Sequence, residues 1–362
     1  MARVIDIDSS THFWHPAQVN EPVFVWGFSA WKQPAVRICF PNSSSVRFIK
    51  SLDDAPLDAL IVLWGSADLD ADVQAGKRWR VVRIEDGFLR SVGLGADLIR
   101  PISWVLDPVG MYYDARHPSR LEQILEAQSF DDALLKRAAC LRAQVVRAGL
   151  TKYNVGAINW QRPNTAKRVV LVVGQVETDA SLAFGAPLIK TNIGLLEAAR
   201  ARCGTEAYLI YKPHPDVVAR LRAEGIGEQG ATQYVDEVVI DADMATLLTQ
   251  VDEVHVMTSL TGFEALLRGV RVVCYGQPFY SGWGLTEDLI PLERRTHALS
   301  IDELVAGVLI EYPLYFDADQ QTFIEPEAAV QFLLMEKTRK GNQLAWWRYG
   351  FRWILRRVVG VR

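Results

Sequence analysis

Residues 169–181, VVLVVGQVETDAS, decide how the fold is read. A short apolar run, mostly β-branched, stops at Gly174-Gln175. So short and uniform a run suits a strand buried on both faces, as in a parallel sheet. The polar residues after it then lie beyond the strand's carboxyl end.

The same grammar repeats downstream. Strands are expected at Tyr208–Tyr211, Glu237–Ile240, Val254–Met257 and Val270–Tyr275. Helices are expected at Gly194–Arg202, Val217–Glu224, Met244–Val251 and Leu260–Arg268, the last stopped by Gly269. Upstream, Val23–Trp26, Val46–Ile49, Leu60–Leu63, Val81–Ile84 and Ile99–Leu106 read as strands, and Phe130–Ala148 as a helix. Alternating strands and helices imply parallel sheets covered on both faces. A chain of 362 residues is long for one core and comfortable for two. Residues 151–165 are polar, carry Pro163, and read as a linker. The expected fold class is α/β of GT-B type, two Rossmann-like domains flanking a cleft, followed by C-terminal helices. The expected boundaries are 1–160, 166–325 and 326–362.

Composition narrows the function. A net charge of −4 gives no reason to expect nucleic acid. Cys39, Cys140, Cys203 and Cys274 form no CxxC pair, which argues against zinc and fits a reducing compartment. Neither a signal peptide nor a membrane-spanning run is expected, so the reading is cytoplasmic. Residues 337–362 are basic, without one acid, and carry Trp346, Trp347, Tyr349, Phe351 and Trp353. Arg348, Arg352 and Arg356 recur every fourth residue beside an apolar face. That pattern suits an interfacial helix, or one packed across the first domain.

Ligands of open α/β sheets bind beyond the carboxyl ends of the strands. Gln175 and Asp179 follow one strand; Lys212, Pro213 and His214 another; Thr258, Ser259 and Gly262 a third; Gly276 and Gln277 a fourth. Glu85-Asp86-Gly87 ends a strand of the first half. A carboxylate there can serve an acceptor hydroxyl as general base, or simply make a turn. Asp179 can attack an anomeric carbon or cap a helix. Lys212 and His214 suit a phosphate, the imidazole as proton donor. Thr258 and Ser259 can bind phosphate or cap. Glu264 can reach a ribose or face solvent. Asp241-Ala242-Asp243 looks like a DxD metal motif, but the spacing recurs at Asp6-Ile7-Asp8 and Asp68-Leu69-Asp70, so no required metal and no cofactor are expected. No GxGxxG or GxxxxGK[ST] pattern occurs.

Taken together, residues 83–107, 112–125, 151–155, 174–181, 211–217 and 258–288 resemble the capsule polysaccharide synthesis family of β-Kdo transferases, the KpsC/LipB type. Members are often two tandem modules, and this chain looks like the second. The resemblance implies CMP-β-Kdo as donor, retention of configuration, and Asp179 as the nucleophile that takes up Kdo. The Glu85-Asp86-Gly87, His214-Pro215 and Thr258-Ser259 set also resembles bacterial sialyltransferases of GT-B fold. By that analogy Glu85 or Asp86 is the acid/base. Lys212, His214, Thr258 and Ser259 hold the CMP phosphate, and Glu264 and Gly276–Pro278 line the nucleotide pocket. Arg90 and Ser91 are candidates for the donor's own carboxylate. The implied partners are CMP-Kdo, a glycolipid acceptor, the inner-membrane surface through residues 340–362, and capsule assembly proteins. The rival readings are another CMP-activated acidic sugar, such as sialic acid, and a non-catalytic assembly or export protein.

Overall fold

The computed structural model describes residues 14–66, 69, 76–93, 99–127, 130–154, 160–165, 167–240, 242–317 and 319–341. The chain builds two sheets. Strands β1 (Val23–Trp26), β2 (Val46–Phe48), β3 (Leu60–Trp64), β4 (Arg80–Asp86) and β5 (Ser103–Asp107) precede β6 (Arg168–Val173), β7 (Ala207–Lys212) and β8 (Glu237–Val238). Then come β9 (Glu253–Val256), β10 (Arg271–Cys274), β11 (Glu287–Asp288), β12 (Pro313–Asp317) and β13 (Thr322–Ile324). The α-helices are α1 (Gln33–Cys39), α2 (Arg120–Ala127), α3 (Asp132–Arg147), α4 (Ala180–Gly185), α5 (Asn192–Cys203), α6 (Pro215–Val218), α7 (Met244–Leu248), α8 (Thr261–Leu267), α9 (Ile301–Val305) and α10 (Pro326–Gly341).

The second sheet has the order β11-β10-β9-β6-β7-β8, all parallel. This is the doubly wound dinucleotide-fold order, whose direction reverses between β6 and β9. Val169 through Val172 are wholly buried, as the continuous apolar run requires. The first sheet has the order β13-β12-β5-β4-β3-β1-β2. Its strands β2, β1, β3 and β4 are parallel, with a reversal of order between β1 and β3. Here the expectation of parallel pairing fails at one side: β5 runs antiparallel to β4, and β12 and β13 extend the sheet antiparallel beyond it.

That last hairpin lies inside the range expected for the second domain. The chain instead returns, and Pro313, Leu314 and Tyr315 pair with Val105, Trp104 and Ser103. Burial drives the return: Tyr312, Tyr315 and Phe316 are all at most 3% exposed. The helix expected over Val217–Glu224 stops at Val218. Arg220 adopts φ of 56°, and the amides of Leu221 and Arg222 turn back onto the Asp216 carbonyl.

Helix α10 buries Ala329, Val330 and Leu333. Arg137 of α3 pairs with Glu325 and Glu327 at 2.5 and 2.8 Å, and Lys337 donates to the Gly149 carbonyl at 2.6 Å. The aromatic basic stretch beyond Gly341 lies outside the described residues. No helix among the described residues is long and apolar enough to cross a membrane.

Candidate functional site: a cleft between two sheet edges

The reversal between β6 and β9 opens a crevice at their carboxyl ends. Gln175 closes its floor. Its Nε2 donates to Thr258 Oγ1 at 3.0 Å, and its Oε1 accepts from the Thr258 amide at 2.8 Å. Thr258 Oγ1 in turn lies 3.2 Å from Ser181 Oγ. Gln175 is therefore a buried zip between two loops rather than an open ligand. Gly174 is required by crowding: a Cβ there would fall 2.5 Å from Tyr211 Oη and 3.2 Å from the His214 nitrogen. Gly276 is equally constrained, with a Cβ 2.8 Å from the Gly185 and Met257 carbonyls, and Gly262 is seated against the Tyr280 ring. The Gln277 side chain is held by the Pro291 carbonyl at 2.8 Å. Ser259 Oγ accepts from the Thr261 amide at 3.3 Å.

Asp179 and His214 both cap helices. Asp179 Oδ1 accepts from the Ser181 amide at 2.9 Å, and no hydrogen bond engages its other oxygen among the described residues. The side chain is exposed. The capping role and a nucleophilic one are thus compatible, because the cap fixes one oxygen and leaves the other available. His214 Nδ1 accepts from the Asp216 amide at 3.1 Å, which assigns the ring proton to Nε2. Burial, reinforced by the charge of Lys152, lowers its pKa to about 4. The uncharged ring presents its Nε2–H as a hydrogen-bond donor. Lys212 is buried, and its ammonium reaches the Ile240 carbonyl at 3.2 Å beneath the Pro213 loop.

The opposite wall belongs to the first sheet. Glu85 Oε1 accepts the Asp86 amide at 3.0 Å. Burial raises the Glu85 pKa to about 7, helped by the Asp86 charge and opposed by Lys152 and Lys32. Asp86 pairs with the Arg90 guanidinium at 2.5 Å, so the two adjacent carboxylates are differentiated. Arg90 is 3% exposed and also donates to Ser91 Oγ, which itself donates to the Gly93 carbonyl. Arg90 Nε and Nη1 and the Ser91 hydroxyl are thereby engaged within the turn.

Lys152 is the site residue that residue-by-residue reading missed. It lies on a turn in which Thr151 and Asn154 bond each other's amides, at 2.9 and 3.2 Å. Asn154 also donates to the Ser91 carbonyl, and Glu264 Oε1 accepts the Lys152 amide at 2.7 Å. Glu264 is thus not a solvated face residue: it is 7% exposed, and its Oε1 pins the linker to α8. No hydrogen bond or ion pair engages the Lys152 ammonium among the described residues. Burial opposes its charge, yet Tyr153, Tyr112, Asp86 and Glu85 hold its pKa above the ordinary lysine range. Its field also reaches His214, across the cleft. Tyr113 completes the contact, its carbonyl 3.2 Å from where a Cβ of Gly185 would lie at the end of α4. The available signal was position: Lys152 opens the linker beside two carboxylate-bearing loops.

Of the DxD candidate, Asp243 caps α7 through the Thr246 amide and hydroxyl, both at 2.8 Å. Asp241, Asp6, Asp8, Asp68 and Asp70 lie outside the described residues. One cluster with metal-ligand atoms within 4.8 Å of each other occurs among the described residues, Cys203, Glu253 and His255, at the amino ends of the second sheet. Arg168 and Arg271 approach Glu253 at 3.1 and 3.5 Å and supply the positive charge there.

Two sheets, the second in the doubly wound order with polar loops at its carboxyl ends, define an α/β protein of GT-B type. The profile of the capsule polysaccharide biosynthesis proteins matches residues 60–139 and 129–315. The chain belongs to that family. It is 44% identical over 327 residues to the capsule polysaccharide modification protein LipA of Neisseria meningitidis serogroup B, covering 87% of this chain and 46% of LipA. It is 36% identical to the lipopolysaccharide-processing protein LpsZ of Rhizobium meliloti, covering 92% and 79%. The chain thus spans about half the length of LipA. Two solved structures of Thermosulfurimonas dismutans KpsC are similar. The β-Kdo 2,7 transferase has a TM-score of 0.70 and 38% identity, covering 86% of this chain and 98% of that one. The β-Kdo 2,4 transferase has a TM-score of 0.75 and 28% identity, covering 87% and 98%.

Proposed function

We propose that this chain is a retaining glycosyltransferase that moves Kdo from CMP-β-Kdo to a glycolipid of capsule biosynthesis. The observation that carries the reading is the pairing of two unlike groups across one cleft. Asp179 offers an unengaged carboxylate oxygen on one side, and Glu85, with its pKa at about 7, offers a proton acceptor on the other.

The Asp179 oxygen attacks the anomeric carbon, and the bond to the CMP phosphate breaks. The departing phosphate is met by His214 Nε2–H and the Thr258 and Ser259 hydroxyls, with Lys212 adding charge behind the loop. Lys152, rather than Arg90, faces the carboxylate of the donor sugar. An acceptor hydroxyl then enters along the first sheet. Glu85 takes its proton, the hydroxyl oxygen attacks the glycosyl ester, and Asp179 is released. Two inversions leave the configuration unchanged. The acceptor is a lipid-linked glycan at the inner-membrane surface, where residues 340–362 would dock.

Intact-mass spectrometry after incubation with CMP-Kdo tests this directly. The parent protein gains one Kdo, and the Asp179→Asn protein gains none. A Kdo adduct on Asp179→Asn, or an adduct formed from CMP-sialic acid and not from CMP-Kdo, overturns the reading.

A further inference from the structure

Asp179 stands at the head of a helix too short to hold itself. Helix α4 has six residues, Ala180–Gly185. So short a helix gains little from its own hydrogen bonds and takes its orientation from packing. Along one side it is held by the loops of the second sheet. Leu182 is buried, Thr258 Oγ1 lies 3.2 Å from Ser181 Oγ, and the Gly185 carbonyl accepts the Gln277 amide at 2.7 Å. A helix held along one side can still rock about that side. Phe184, which is half-buried, meets a strap of residues 112–117 that follows β5 of the first sheet.

The strap is anchored on the Glu85 wall. Tyr112 packs edge-on against Phe88, with centroids 4.9 Å apart. Tyr113 Oη and Glu85 Oε2 flank one point, each 3.2 Å from where a Cβ of Gly65 would lie. Further along, the Ala115 and His117 carbonyls accept from Arg294 at 2.7 and 3.2 Å. Between these anchors Asp114 grips the Arg116 guanidinium with both oxygens, Nε at 2.8 Å and Nη2 at 2.7 Å. A two-pronged pair fixes the guanidinium plane in a way a lysine cannot reproduce. Arg116 Cζ then sits 3.9 Å from the centroid of the Phe184 ring. The Tyr113 carbonyl meets the same helix end, 3.2 Å from the Cβ position of Gly185. One segment thus touches the Glu85 wall with a hydroxyl and α4 with a stacked cation.

We infer that Arg116 and Phe184 are positioning residues for Asp179: the stacked guanidinium, gripped by Asp114, sets the tilt of α4 and with it the placement of the capping carboxylate relative to Glu85. The inference rests on the nucleophile assigned under the proposed function. The Arg116 side chain is 53% exposed, so its pair with Asp114 adds little to stability. Its effect is on direction. A reacting group displaced by about an ångström costs on the order of 10²-fold in rate. Neither Arg116 nor Phe184 meets the sugar in this account; both act through Asp179.

Two measurements on the full chain test it. The first is hydrogen exchange of the peptide carrying the Ser181, Leu182 and Ala183 amides, all held by Asp179. Phe184→Leu keeps an apolar side chain and removes the ring face, and exchange there is expected to quicken about tenfold. The second is the rate of Kdo adduct formation at saturating CMP-Kdo. Phe184→Leu and Arg116→Ala each slow it about tenfold, with the donor KM within about twofold of the parent. The double variant is no slower than either single, because both remove one contact. Phe184→Tyr keeps the parent rate, and Arg116→Lys, which keeps the charge without the fork, is nearly as slow as Arg116→Ala. A parent-like adduct rate in Phe184→Leu, or losses that multiply in the double variant, overturns the inference. The two failures are separable: a parent that forms no adduct defeats the proposed nucleophile, whereas unchanged exchange in Phe184→Leu defeats the positioning contact.

Discussion

The second sheet gathers ionisable side chains at both ends of its strands, and the two gatherings are built in opposite ways. At the amino ends, Glu253 is 2% exposed and meets His255 Nε2 at 2.6 Å, Arg168 at 3.1 Å and Arg271 at 3.5 Å. Tyr275 Oη reaches the other nitrogen of His255 at 3.1 Å, and Arg168 also approaches Cys203 Sγ. Every polar group there is used. At the carboxyl ends, one oxygen of Asp179 and Nε2 of His214 have no partner among the described residues, and Lys152 faces them with its ammonium equally unengaged. Asp179 is exposed and solvated, but leaving the enclosed Lys152 ammonium and the His214 N–H without partners costs stability. A fold keeps such groups where a ligand completes them. Satisfaction of charge, more than the mere presence of Glu, His or Cys, separates scaffold from site in this molecule.

The strongest way to break the comparison is Asp179→Asn. Asparagine caps a helix about as well as aspartate, so α4 keeps its cap and the melting temperature stays within a degree or two. The carboxylate nucleophile is gone, and transfer falls by roughly 10⁴-fold with no adduct. A variant that loses stability but keeps transfer would put Asp179 with the scaffold. Glu85→Gln comes next. Transfer drops by about 10²- to 10⁴-fold, while the Kdo adduct still forms and now persists. In the parent, transfer rises with pH through about 7, because Glu85 must be deprotonated to accept the hydroxyl proton. Adduct formation does not follow that limb, and in Glu85→Gln the limb disappears from transfer.

Lys152→Met sharpens the comparison rather than breaking it. Loss of a charge-assisted contact to the donor carboxylate raises KM for the donor about 10- to 100-fold. Lys152 also holds the Glu85 pKa down, so the midpoint of the transfer profile moves to higher pH in this variant. A KM increase without that movement would detach Lys152 from Glu85.

The second sheet was largely legible because its strands are buried on both faces and read as apolar blocks. Val169–Val173, Tyr208–Tyr211 and Val254–Met257 each fall within about a residue or two of the observed limits. The hairpin from Pro313 to Ile324 was not legible, because its pairing with β5 joins residues some two hundred positions apart and leaves no local signal. The same division runs through the site. The motif loops at the strand ends could be found by position, since each polar cluster follows an apolar run. What each residue spends itself on could not. Arg90 and Lys152 are both cations near the Glu85 turn, and only the structure shows that Arg90 pairs with Asp86 at 2.5 Å while the Lys152 ammonium makes no ion pair among the described residues. Gln175 and Glu264 likewise look like ligands in sequence and prove to be tied to Thr258 and to the Lys152 amide.

The smallest effect on activity belongs to the closed cluster, and it is the control for the whole argument. Glu253→Gln preserves shape and leaves Arg168 and Arg271 without their anion at the amino ends of the strands. Both arginines are about half exposed, at 42% and 56%, so water recovers part of the loss. A destabilisation of about 1–3 kcal/mol is expected, read from urea denaturation. Within the fold, burial opposes the Glu253 charge, but His255, Arg168 and Arg271 outweigh it and hold the pKa below its ordinary 4.5. A depressed carboxylate pKa stabilises the fold fully above that value and loses the contribution as acid titrates the folded form. The parent therefore weakens on acidification below 4.5 more steeply than Glu253→Gln does. Transfer per folded molecule stays within about twofold at neutral pH, because Glu253 itself opens β9 at its amino end and, among the described residues, makes no contact with the loops at the carboxyl ends. A tenfold loss of transfer with stability intact would mean that the paired cluster belongs to the chemistry, and that satisfied charge is no guide to where this protein works.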